Sequence, residues 1–111
     1  MNEDPYPRII TDLPKANILF QGVEGWLLQA KEMQVVFFQI QKPGTVPEHS
    51  HGAQWGIVVQ GELTLVIDGV QGVYKKGDVY YIPAGSPHSA IFNSPCKVID
   101  FFADVDRYRP E

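Results

Sequence analysis

Apolar residues along the chain come in runs of five to nine, dense in Val, Ile, Phe, Tyr and Trp, and glycines and prolines cut between the runs at short intervals. Within runs the alternation of apolar and polar positions has a period of two, the signature of strands rather than helices. The pattern predicts strands over 17–20, 25–30, 33–41, 54–60, 62–68, 71–75, 79–82, 86–93 and 97–103, and no helix of three turns. Asp68-Gly69 and Lys76-Gly77-Asp78 read as hairpin turns, because glycine adopts positive φ without strain, and Gly61 marks a further tight turn. These short links predict a connectivity that is mostly a meander.

So many short antiparallel strands would expose long edges unless they closed on themselves, so the fold class expected is all-β, a small barrel or jelly roll. Runs such as Gln34-Val35-Val36-Phe37-Phe38 and Val98-Ile99-Asp100-Phe101-Phe102 are apolar on both faces. One face can line the barrel, and the other needs a cover, which predicts a homodimer with the proline-rich N-terminal arm as a candidate to cross over. The alternative is an arm that covers its own barrel. With 111 residues the chain is expected to be a single domain over 1–111, with an arm at 1–16, a barrel at 17–103 and a tail at 104–111.

Composition changes this picture little but excludes some functions. A formal charge of -4 without a basic patch argues against nucleic acid and anionic lipid as partners. No apolar run is long enough to span a membrane, and the N-terminus lacks the pattern of a signal peptide. The single cysteine, Cys96, allows no intramolecular disulfide; it is expected to be a small packed residue, and the compartment expected is the cytoplasm. No nucleophilic-serine context, phosphate-cradling loop or dinucleotide fingerprint occurs.

The candidate chemistry lies in the histidines. All three fall in two segments, His49-Ser50-His51-Gly52-Ala53-Gln54 and Pro83-Ala84-Gly85-Ser86-Pro87-His88. In an extended segment His49 and His51 point to one side, as two ligands of one ion require. Gly52 and Ala53 allow a turn that swings Gln54 toward the same point, and Gly56 leaves free volume beyond it for a small molecule. Three imidazoles and an amide oxygen suit a divalent transition metal (Zn, Ni, Fe, Mn or Cu) better than calcium or magnesium. As a neutral amide Gln54 would leave the ion its full charge, favouring an anionic or carbonyl-bearing ligand.

The arrays Gly44-x4-His49-x-His51-x2-Gln54-x6-Gly61 and Gly77-x5-Pro83-x-Gly85-x2-His88-x4-Asn93 resemble the two motifs of the cupin superfamily, and the strand pattern of nearly the whole chain is compatible with its barrel, a double-stranded β-helix. The resemblance implies that His49, His51 and His88 take the family's histidine-ligand positions and that Gln54 stands where glutamate is usual. Asp100, alone in an apolar run, has two readings. One is a catalytic acid or base aimed into the barrel; the other is a hydrogen-bonded strand residue or a support for His88 or an arginine. Asp100, Phe102 and Arg107 are similar to the tail of small cupins that open or isomerise uronate sugars. Phe92, on the His88 face, and Phe102 are the expected pocket residues. Trp55 should point away from the lumen, and the acidic tail around Asp104 and Asp106 is expected to be a solvated end.

The function expected is that of a metal-dependent enzyme using Lewis-acid chemistry on a small carbonyl or carboxylate compound such as a sugar acid: an isomerase or lyase, or a dioxygenase with iron. The alternative is a non-catalytic module that binds or senses a small molecule.

Overall fold

The computed structural model describes residues 5–111. Two antiparallel sheets face each other. One has five strands in the order β1-β2-β9-β4-β7 and the other four in the order β3-β8-β5-β6. The strands are β1 (Val23–Gln29), β2 (Gln34–Ile40), β3 (Gly44–His49), β4 (Gln54–Gln60), β5 (Glu62–Ile67), β6 (Val70–Lys75), β7 (Val79–Ile82), β8 (His88–Phe92) and β9 (Cys96–Phe102). The helix among the described residues is the four-residue α1 (Arg8–Thr11). No helix among them is long and apolar enough to cross a membrane.

The Asp68-Gly69 turn joins β5 to β6 with Ile67 opposite Val70, and both turn residues have positive φ, as a two-residue hairpin loop demands. Beyond that hairpin and β1–β2, the chain is not a meander. β2 passes to the other sheet before β9 returns to pair with it, and β8 inserts between β3 and β5. The cause is the two-sided apolar character of the central strands. β9 is buried along most of its length between β2 and β4, which a strand at the end of a meander could not achieve.

Two elements differ from the sequence pattern. Residues 17–20 form no strand; Lys15 and Ala16 instead make isolated bridges to Trp26 and Pro110. A strand absent from the expected set, β3, runs along β8. It carries Pro47 and exposed residues, and its ladder breaks between Val46 and His49, where proline has no N–H to give. The other eight strands match expectation within two residues.

Leu27, Val36, Val58, Leu63, Leu65, Ile82, Val98 and Phe102 fill the space between the sheets. Each such side chain contributes about 1.5–3 kcal/mol relative to exposure. The arm lies on its own barrel: the Tyr6 hydroxyl donates to the Phe38 carbonyl at 2.9 Å, and its ring meets Trp26 and Phe37 edge-on. The tail is solvated only in part: Asp106 is exposed, but other residues are anchored to the barrel. Tyr108 packs edge-on against Phe38 and Phe102, and Pro110 bridges back to Ala16.

Candidate metal centre

β3 ends at His49, directly opposite His88, the first residue of β8. His51 lies two residues further on and is tied to the second segment through the backbone, the Gly85 N–H donating to the His51 carbonyl at 2.9 Å. That contact depends on the turn at Pro83, where Ser86 N–H reaches the Pro83 carbonyl and Gly85 adopts φ of 80°. The three rings gather with centroids 4.3 Å (His49–His88), 4.8 Å (His51–His88) and 5.2 Å (His49–His51) apart. Their candidate ligand atoms all lie within 4.8 Å of one another, a small side-chain adjustment from the spacing of nitrogens about 2.1 Å from a shared ion.

Hydrogen bonding fixes which nitrogen each ring presents. Nδ1 of His49, His51 and His88 lies 2.9 Å from the carbonyls of Pro47, Gly52 and Ser86 respectively. A carbonyl can only accept, so Nδ1 carries the proton and, in the neutral ring, Nε2 keeps its lone pair. Nε2 of His51 and of His88 is buried without a hydrogen-bond partner. Burial holds His49 below the ordinary histidine range and drives His51 down to about 4, with the Arg107 charge adding to both. Those two rings are therefore neutral near pH 7 and ready to donate electron pairs. Three convergent imidazoles, two of them with buried and unpartnered Nε2 atoms, fit a divalent transition metal.

Around the rings stands a second polar group. The Tyr80 hydroxyl donates to Asp100 Oδ1 at 2.7 Å, and Asp100 also accepts from the Gln54 side chain. That bond turns the Gln54 amide nitrogen to the carboxylate and leaves its oxygen as the free end. Burial raises Asp100 to about 6, against the lowering effect of both hydrogen bonds. Gly56 does not leave room for a ligand. Its missing side chain is replaced by the Tyr80 ring and Asp100 Oδ1, which approach the strand where a Cβ would stand. Asp104, expected in solvent, instead accepts from the Gly52 N–H at 2.8 Å and lies 3.8 Å from His51 Nδ1. Nothing in the sequence near Asp104 signals this contact with a loop fifty residues upstream.

These groups open on a cavity between the two sheets. His49, His51, Gln54, His88, Asp100, Phe92 and Phe102 all line it, and so does Arg107, whose Nε is buried without a partner and whose guanidinium stacks 5.1 Å from the Tyr108 ring centroid. Trp55 lies on the opposite face, exposed, edge-on to Phe101. Cys96 is buried with its thiol on backbone carbonyls.

Two apposed antiparallel sheets in jelly-roll order, with three imidazoles converging at one end of the cavity, define a β-barrel whose three histidines could hold a metal ion. The family model described as Cupin domain matches residues 36–102, and the chain belongs to the cupin family. No curated protein matches the sequence. Among solved structures, an RmlC-like cupin from Shewanella frigidimarina is 23% identical, with a TM-score of 0.74 over 92% of this chain and 90% of that one. KdgF from Halomonas sp. is also 23% identical, with a TM-score of 0.73 over 82% and 87%. Salicylate 1,2-dioxygenase from Pseudoaminobacter salicylatoxidans is 15% identical, with a TM-score of 0.70 over 78% of this chain but 26% of that one. At these identities the likeness establishes the fold.

Proposed function

We propose that this cupin is a metal-dependent enzyme that acts on a small carbonyl- or carboxylate-bearing molecule. Buried, unpartnered Nε2 atoms on His51 and His88, beside His49, carry the reading, since leaving such groups unsatisfied is costly unless something bonds them. His49, His51 and His88 would hold a divalent transition metal (Zn, Ni, Fe, Mn or Cu), with the Gln54 amide oxygen as fourth donor. When bound, the ion would supply Lewis-acid polarisation of a carbonyl or carboxylate oxygen.

The chain's own residues do the rest. Asp100 is the catalytic acid or base: its carboxyl is buried, lines the cavity, and holds a proton up to about pH 6, so it can give or take one near neutrality. Tyr80 and Gln54 orient it. Arg107 Nε, buried and without a partner in the same cavity, offers a donor to an incoming carboxylate. Phe92 and Phe102 form part of the pocket wall and keep water out. The reaction class is isomerisation or elimination, or dioxygenation with iron.

On the same reading residues 1–111 are one domain, with the arm at 1–16, the barrel at 17–103 and the tail at 104–111, working in the cytoplasm as a homodimer. The dimer is supported by the exposed outer face of the five-stranded sheet, where Trp55 stands beside Tyr81 and Phe101 in register. The enzymatic proposal is tested by incubating protein loaded with each metal in turn with a panel of 2-oxo acids, hydroxy acids and uronates, and following turnover by NMR. Turnover by wild type that falls at least about a hundredfold in Asp100→Asn is expected. Tight binding with no turnover would instead make the protein a binding module.

A further inference from the structure

The cavity wall is sorted by strand register into two chemically different ends. On the four-stranded sheet His49 stands opposite His88, Val46 and Leu65 flank Ala90 from either side, and Gly44 and Leu63 flank Phe92. On the five-stranded sheet Gln54 stands opposite Phe102, Gly56 opposite Asp100 and Tyr80, and Val58 opposite Val98, with Phe38 next in line. Because alternate residues face inward, each step of two along a strand moves one row deeper. His51 meets Phe102 edge-on at 5.6 Å, which brings the histidine end of one sheet over the Gln54 end of the other. One row on, Leu65 and Ala90, and beyond them Phe38, Ile40, Leu63, Phe92 and Val98, offer only hydrocarbon.

The polar groups at the other end are largely committed. Each histidine Nδ1 is bonded to a backbone carbonyl, and Tyr80, Gln54 and Asp100 bond one another. Ser89 and Tyr108, the other hydroxyls on the wall, directly follow His88 and Arg107 in the chain. What remains for a ligand is one cluster of acceptors and donors, the Nε2 atoms of His51 and His88, the Gln54 amide oxygen and Arg107 Nε, facing an apolar wall. A sugar acid has a hydroxyl on nearly every carbon, and against that wall each one would lose water without gaining a partner.

Resting on the proposed metal reading, we infer that the ligand of this site is a compact apolar acid: a carboxylate or 2-oxo acid head at the His–Arg107 end, carrying a branched-aliphatic or aromatic body against the Leu63–Leu65–Phe92 wall. A uronate is excluded from the role of preferred ligand. The selectivity arises from hydrocarbon burial, worth about a factor of four in affinity per methylene, while Arg107 and the histidine end treat all the acids alike.

The test is calorimetric titration of zinc-loaded and of chelator-treated protein with four acids: pyruvate, α-ketoisocaproate, phenylpyruvate and D-galacturonate. α-Ketoisocaproate and phenylpyruvate are expected to bind at least about tenfold more tightly than pyruvate, and galacturonate no more tightly than pyruvate. Phe92→Ser should erase most of the gain. Val46→Thr, which keeps the shape of a half-exposed wall residue and adds a hydroxyl, should reduce the gain several-fold with the fold intact. Galacturonate binding as well as or better than the apolar acids overturns the inference, as does any result in which the apolar acids gain nothing over pyruvate. Zinc uptake measured on the same samples judges the metal reading separately: a protein that takes no zinc but keeps the apolar preference leaves the ligand class standing and removes the metal.

Discussion

Replacing Gly56 with alanine should be among the most damaging single-methyl additions in the protein. The new Cβ would fall on Asp100 Oδ1 and on the Tyr80 ring. Neither can move aside into solvent, because Asp100 is 4% and Tyr80 5% exposed, and each belongs to a strand laddered to β4 on one side or the other. Forcing extra volume into such a site costs about 1–3 kcal/mol. Parting Tyr80 from Asp100 leaves a buried carboxylate short of a donor, for about 1–3 kcal/mol more. With a mid-range total near 4 kcal/mol and a domain of this size, the melting temperature should fall by about 15 °C. Thermal and urea unfolding followed by circular dichroism read this directly. Gly44→Ala is the control: its Cβ would meet nothing within 4 Å at an ordinary φ, so its stability should change by no more than about 0.5 kcal/mol. A Gly56→Ala protein within about 1 kcal/mol of wild type would refute the close packing of Tyr80 and Asp100 against β4.

Asp100→Asn should change the pH dependence of stability in metal-free protein. The native carboxyl, raised from 3.8 to about 6, binds its proton more tightly than the unfolded chain does, so its contribution is complete below about pH 4 and lost as pH rises through 6. Relative to the variant, wild type should lose up to about 3 kcal/mol across that window; His51, lowered to about 4, runs the other way but is common to both proteins. Urea midpoints at several pH values would show it, and parallel curves would count against a buried carboxyl whose proton burial holds. Asp104→Ala, which frees the Gly52 N–H beside His51, should weaken zinc binding about tenfold without altering the circular dichroism; unchanged affinity would reduce Asp104 to a surface contact. Trp55→Glu with Phe101→Lys on the exposed outer face should turn a dimer into a monomer in sedimentation velocity, and an unaffected dimer would place the interface elsewhere.

Much of this was legible in the chain because local signals and tertiary outcome coincide. The Asp-Gly pair at 68–69 specifies its hairpin within two residues, and period-two alternation locates β4 and β7 to the residue. β3 escaped because an edge strand need not be apolar and may carry proline; its pairing is set by β8, far away in sequence. The jelly-roll crossings were hidden for a related reason, since short glycine turns look alike whether they join neighbours or switch sheets. The same limit holds at the site. The histidine spacing states that the rings share a side, whereas Asp104 reaching Gly52, or Tyr80 filling the space beside Gly56, depends on contacts made only when distant strands meet. Gly56 reads in sequence as an opening and is in fact the seat of a hydrogen-bonded pair.

The most direct measurement is X-ray absorption at the metal edge, combined with calorimetric titration of chelator-treated protein with zinc. One ion per chain is expected, with three imidazole nitrogens at about 2.0–2.1 Å, and uptake should collapse in His88→Ala. An ion with fewer than two imidazole ligands, or a His88→Ala protein that binds zinc as wild type does, would contradict the account.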